Sequence, residues 1–166
     1  MAFQKRIEAS FTRPADTLAY TVGDVIANSV ASPVIMTFAG AAATAEAGGR
    51  IVAATLIDSV AAATKPLVDL WLFDTTVIMQ GDNVAFAPTD AEAGTVVAVI
   101  PFLTAGDWSV GDLAVGGNAV YAKGNLNMAY VCALTTTSLF GILIARNAYV
   151  PASAEVIKIR LVVELS

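Results

Sequence analysis

The 166-residue chain contains no histidine and one cysteine, Cys132. Without an imidazole, neither a Ser-His-Asp nor a Cys-His nucleophile can be assembled, and the commonest metal ligand is missing. One thiol makes neither a cysteine-based zinc or cluster site nor an internal disulfide. Inside the apolar run "MAYVCAL", Cys132 reads as a small core residue. Carboxylates are the remaining chemistry. Glycoside hydrolysis needs two of them facing each other across a cleft. Asp69 and Asp74 flank "LWLF" five positions apart, which puts them on opposite faces of a strand. Asp82 in "QGDNVAF" and Asp112 in "VGDL" sit in turn contexts, where Asp accepts from nearby backbone N–H groups. Calcium needs several clustered oxygens, and "DTTVIMQGDN" is the one loose candidate, without EF-hand spacing. There is no P-loop, and the glycines of "GDLAVGGNAV" miss the dinucleotide spacing and read as turns. The residues point to no enzyme and no cofactor.

Two tryptophans could serve binding. Trp71 lies among Leu70, Leu72 and Phe73 and reads as core. Trp108, in "TAGDWSVGD" beside a turn, is the better candidate for an exposed aromatic, either as a glycan platform or as an interface anchor.

The elements that must position these residues are strands. In "FQKRIEASF", Phe3, Ile7, Ala9 and Phe11 share one face, and Lys5 interrupts it. In "EVIKIRLVVEL", Ile157, Ile159, Leu161, Val163 and Leu165 point one way. This period of two marks half-buried strands, and the two terminal strands are expected on the core, paired with each other. "DVIANS", "PVIMTF", "GNAVYAK", "LNMAYVCAL" and "LFGILIARNAYV" are further candidates, rich in β-branched and aromatic residues. "GRIVAATLIDSV" and "PLVDLWLFD" read as a neighbouring pair. "TVVAVIPF" is apolar on both faces and reads as a central strand. "PTDAEAG" offers one helical turn with Thr89 or Asp90 as cap and Gly94 as stop. "AGAAATAEAGG" lacks an apolar stripe and reads as a loop. About ten short antiparallel strands with frequent turn signals and little helix indicate an all-β, single-domain sandwich or jelly roll over residues 1–166. Residues 1–23 include an irregular stretch that could leave the domain as an arm.

Composition bears on partners. Size scaling gives a folded surface of roughly 7,800 Å² and about 69% burial, enough for a full core. Apolar residues make up 57% and charged residues 14%, against a usual ~25% charged. So little charge suggests that part of the surface is buried against other chains. The net charge of −5 comes without a basic run, which argues against direct nucleic-acid binding. The longest apolar stretch, "TVVAVIPFL", is far short of the roughly 20 residues of a membrane helix. The start "MAFQKRIEAS" shows no secretory core.

The strings "FTRPADTLAYTVGDVIANS", "MTFA", "GGRIVAATLIDS", "LWLFDTT" and "GDNVAFAPTDAEAG", the last followed by an apolar strand, resemble a family of small structural proteins of tailed bacteriophages. These are the capsid decoration proteins, also called cement or head-auxiliary proteins. The resemblance covers most of Phe11 to Pro101. It implies a β-sandwich or jelly-roll subunit, homotrimeric, in the virion. The trimers would sit outside the head at local threefold positions between major capsid proteins and resist the pressure of packaged DNA. The alternative is a virion or cell-surface β-module that binds glycans. The residues chosen here as contact candidates are Arg13, Asp16 and Tyr20 in the irregular stretch, with Trp108. The ordinary alternatives for the first three are a solvated strand end, a turn cap and a core plug.

Overall fold

The computed structural model describes residues 3–60, 64–111 and 117–166. Among them, eleven strands form two antiparallel sheets: β1 (Phe3–Thr12), β2 (Val25–Ile26), β3 (Met36–Phe38), β4 (Gly48–Asp58), β5 (Val68–Phe73), β6 (Val96–Phe102), β7 (Trp108–Val110), β8 (Ala119–Lys123), β9 (Met128–Val131), β10 (Leu139–Ala145) and β11 (Val156–Leu165). The first sheet runs β1-β11-β4-β8-β7, with β9 also on β4. The second runs β2-β10-β5-β6, with β3 also on β10. The all-β sandwich expected from the sequence is the fold observed. The surface of 7698 Å² matches the value expected for the chain length.

The terminal strands pair along their whole length, with Ile7 opposite Leu161, Ala9 opposite Ile159 and Phe11 opposite Ile157. Alternation explains the match, because one face of each strand must meet the core. Ile7, Ile157, Ile159, Leu161 and Val163 are buried. Lys5 keeps its place on that face by donating to the Gly40 carbonyl (3.1 Å). Opposite Val162 and Val163 the register slips in β4, and Val52 is skipped. A bulge inserts one residue and reverses the alternation beyond it. Ile51 and the even-numbered Ala54, Leu56 and Asp58 therefore share the buried face. Without the bulge, Asp58 would point to solvent.

The second sheet is covered on both sides. Leu139, Leu143, Val68, Leu70 and Leu72 join the main core, while Val25, Ala27, Phe73, Ile142 and Ile144 form a smaller cluster on the outer face. Val77, Met79 and Phe86 lie over that outer cluster. Gly141 makes room for the inner layer, since a Cβ there would come within 2.8 Å of the Phe38 ring. Each fully buried Phe or Leu in these layers contributes roughly 1.5–3 kcal/mol relative to exposure.

Two expectations about the strands are corrected. β4 and β5 are not neighbours: β4 lies between β11 and β8 in one sheet, β5 between β10 and β6 in the other. β6 is an edge strand rather than a central one. Its apolar character reflects cover on both faces, and Pro101 suits an edge. β7 was not anticipated. The helical turn holds: α1 (Asp90–Ala93) has Thr89 as N-cap with Glu92 completing a capping box, and Gly94 as C-cap. Residues 39–47 form turns and bends, as expected of a loop. Asp112 lies outside the described residues.

Candidate functional site

Arg13 follows the last residue of β1. Its backbone N–H donates to the Glu155 carbonyl (2.8 Å), one step beyond the β1–β11 ladder, and Ala154 N–H donates to the Pro14 carbonyl (3.2 Å). Proline has no N–H of its own to continue the pairing. Asp16 Oδ1 then accepts from Leu18 N–H (3.1 Å), a side-chain turn that redirects the chain. Tyr20 forms an isolated bridge with Tyr149. Gly23, at φ 99, adopts a backbone conformation that favours glycine and donates to the Ala145 carbonyl (2.8 Å). Residues 13–23 therefore cross from the first sheet to the second, pinned at both ends. The expected arm is corrected: the segment lies on its own domain.

Its two largest polar side chains point inward. Arg13 is 2% exposed and Tyr20 fully buried. Arg13 Nε donates to the Tyr20 hydroxyl, and Arg13 Nη2 donates to Asp82 Oδ2 (2.9 Å). The Tyr20 hydroxyl donates to Asp82 Oδ1 (2.6 Å), which also accepts from Ala27 N–H (2.7 Å). The guanidinium carbon lies 4.7 Å from the Tyr20 ring centre, and Tyr20 stacks on Tyr149 with centroids 5.0 Å apart. Burial pushes the Tyr20 phenol far above its usual range, so it remains a donor. Asp16 reaches only the rim of this cluster, 3.5 Å from Arg13 Nη2 with its side chain 31% exposed.

Asp82 arrives from 62 residues further along. It is held by a tight turn in which Val84 N–H donates to the Gly81 carbonyl (3.2 Å) and Asn83 takes φ 62, a conformation Asn tolerates. Gly81 permits the approach, because a Cβ there would collide with the Val30 carbonyl. Asp82 N–H donates to the Ser29 carbonyl (2.9 Å), Asn83 N–H to that of Val25 (2.9 Å) and Phe86 N–H to that of Gly23 (2.9 Å). The reading of Asp82 as an ordinary turn residue is thus corrected. Its turn aims the carboxylate at a distant arginine. Both its oxygens are occupied by protein donors, and among the described residues no group of three His, Cys, Asp or Glu could hold a metal.

A second buried pair lies beside the first. Asp58 and Glu155 are 0% and 1% exposed. Asp58 Oδ1 accepts from Val60 N–H (2.8 Å) and Glu155 Oε2 from Ala152 N–H (3.0 Å). Asp58 Oδ2 and Glu155 Oε1 have no donor, and each carboxyl perturbs the other. Two carboxyls sharing a buried site do not both ionise, so one holds a proton. Burial and then the Asp58 charge push the Glu155 carboxyl up to about 8. Burial also raises Asp58, against the pull of Val60 N–H and of Glu155. Lys65 acts on Asp58, Arg13 on Glu155, and Glu155 on the Tyr149 phenol. Such a pair resembles an acid–base dyad, but with both groups this buried it presents no face to a substrate.

Trp108 is not part of this region. It is 8% exposed, on β7, with its ring edge-on to Tyr121 at 5.7 Å. The expected exposed aromatic is corrected to a core residue, and the glycan reading loses its platform. Trp71 is half-buried on the outer face of the second sheet, edge-on to Phe86 at 5.3 Å. Cys132 is buried in the main core, as read from the sequence.

The structure therefore joins Arg13, Tyr20 and, at the rim, Asp16, and leaves Trp108 apart. Sequence reasoning missed Asp82, Asp58, Glu155 and Tyr149 as members of one polar interior. The available signal was Arg13 itself, since an arginine between apolar strand and proline needs a counter-ion if it turns inward. The solvent-facing residues of these segments include three large aliphatic ones, Leu18 (59%), Val22 (65%) and Val84 (45%), beside the exposed Thr17 and Thr21. Val30, Val34 and Ile78 on the adjoining segments are also exposed.

No protein-family model matches the chain, and no curated protein matches it.

Proposed function

We propose that this chain is a structural subunit of a tailed-phage virion: a capsid decoration protein that sits as homotrimers on the outer surface of the head, at local threefold positions, and ties neighbouring major capsid proteins together. One observation carries the reading. The two strings most specific to the resemblance, "FTRPADTLAYTVGDVIANS" and "DNVAFAP", meet at Arg13, Tyr20 and Asp82. Their buried residues build a brace, and their remaining aliphatic residues, Leu18, Val22 and Val84, lie on the surface it supports. Exposed aliphatic side chains on a braced surface suit docking against another chain.

The work is mechanical and needs no cofactor. A rigid sandwich spanning two capsid subunits resists their separation, and many modest contacts in a closed shell add through avidity. Arg13 and Tyr20 are interior supports here, and the contact candidates move to Leu18, Val22 and Val84, with Asp16 at the rim. Sedimentation equilibrium of the purified chain tests the oligomer: three times the chain mass is expected, and a monomer at all concentrations contradicts the trimer. Co-sedimentation with expanded heads lacking the protein tests the partner. Saturable binding is expected, and its absence removes the reading.

A further inference from the structure

β1 lies at the edge of the first sheet; among the described residues it is hydrogen-bonded as a strand only to β11, and β3 of the second sheet packs against it. Every second residue of this ten-residue strand therefore presents backbone N–H and C=O groups without a strand partner. A long open edge is a template for another strand. The outward face of this strand reads Gln4, Arg6, Glu8, Ser10 and Thr12, all exposed. Glu8 is paired with Arg160 on β11 (3.1 Å), while Arg6 is solvent-exposed with no counter-ion among the described residues. On the core-facing row, Phe3 at the strand's start is 67% exposed.

We propose that β1 pairs antiparallel with β1 of a second copy of this chain, about a twofold axis at Ile7, so that the first sheet continues across two molecules. The register follows from charge. With Ile7 opposite Ile7 of the copy, Arg6 meets Glu8 and Glu8 meets Arg6. Gln4 meets Ser10, and the exposed Phe3 meets Phe11 on the apolar row. Opposite charges directly across a strand pair stabilise it, and like charges destabilise it. Sliding by the smallest step that keeps the faces matched puts Arg6 against Arg6 in one direction and Glu8 against Glu8 in the other. One register is thus favoured and both its neighbours are penalised. Lys5 does not interfere, because it is tied to Gly40 within its own chain.

A twofold contact cannot close a trimer. On a shell it joins trimers seated on neighbouring threefold positions, and it stands whether or not the subunit is trimeric.

The test is a register-specific crosslink in the full chain. Gln4 and Ser10 lie on the exposed face and are opposite each other only in the proposed register. Directly opposed Cα atoms lie within disulfide range. The double variant Gln4→Cys/Ser10→Cys, mildly oxidised, should give a covalent dimer on a non-reducing gel, and each single variant should not. Adding Arg6→Glu sets two carboxylates opposite each other, the introduced one and Glu8 of the copy, and should slow the crosslink about tenfold. Adding Glu8→Arg as well should restore it. No crosslink, equal crosslinking of the single variants, or indifference to Arg6→Glu overturns the proposal. Should the cysteine variants not fold, sedimentation of the unmodified chain against Arg6→Glu decides: weaker self-association in the variant is expected, and no difference overturns the pairing. Trimers that do not crosslink overturn this contact alone, and crosslinking without trimers overturns the trimer alone.

Discussion

Two buried polar groups lie side by side near the beginning of β11, and they solve burial differently. Arg13 and Asp82 carry opposite charges, and Tyr20 and the Ala27 N–H occupy the remaining positions around the carboxylate. Asp58 and Glu155 carry the same charge and are reconciled only by a shared proton. In the first group Arg13 and Tyr20 are both shifted upward and keep their protons throughout the physiological range. The second group titrates within it. The contrast teaches that burial alone does not mark a catalytic group: here the raised carboxyl lies in the interior and fastens the turn before β11 to the end of β4.

The largest effect should come from breaking the compensated group. Asp82→Ala leaves the Arg13 guanidinium buried without its buried counter-ion, at a cost of about 3–5 kcal/mol. Urea unfolding measures it, and a loss below about 1 kcal/mol would mean that the pair contributes little. Next comes the like-charged pair. In the unfolded chain both carboxyls lose their protons near their ordinary pKa, whereas the folded pair keeps one until about pH 8. Its stabilisation is therefore complete below about pH 4 and is lost as pH rises through 8. The chain should lose at least about 1.4 kcal/mol between pH 5 and 8, the equivalent of one pKa unit. Glu155→Gln, which can still donate to Asp58, should be flat over that window. Equal pH profiles would show that the pair is not protonated. The most conservative change is Tyr20→Phe, which removes one donor to Asp82 and the acceptor of Arg13 Nε, while Arg13 Nη2 and Ala27 still bond the carboxylate. About 1–3 kcal/mol should be lost, without altering the pH profile.

Much of the sandwich was legible because alternation is a local property. β1 and β11 declare their buried faces residue by residue, and the capping box of α1 lies within four positions. Lateral order was not legible. β6 reads apolar because the second sheet is covered on both faces, which says nothing of its place in the sheet. The burial of Asp58 depends on the bulge at Val52, and no residue there announces it. Arg13 could be singled out from sequence, but its partner could not, because Asp82 reaches it only through the turn at Gly81–Asn83. Trp108 misled for a related reason: its neighbourhood is turn-like, but a short strand carries its ring onto Tyr121.

On the proposed function, the opening segment is an interior brace supporting a surface that binds the shell. Head binding by folded variants tests it most directly. Val22→Asp/Val84→Asp changes only exposed positions and should leave the melting curve close to that of the unmodified chain while reducing co-sedimentation with expanded heads at least about tenfold. Tyr20→Phe, less stable but folded, should bind as the unmodified chain does. Full binding by Val22→Asp/Val84→Asp, or loss of binding by folded Tyr20→Phe, would contradict the account.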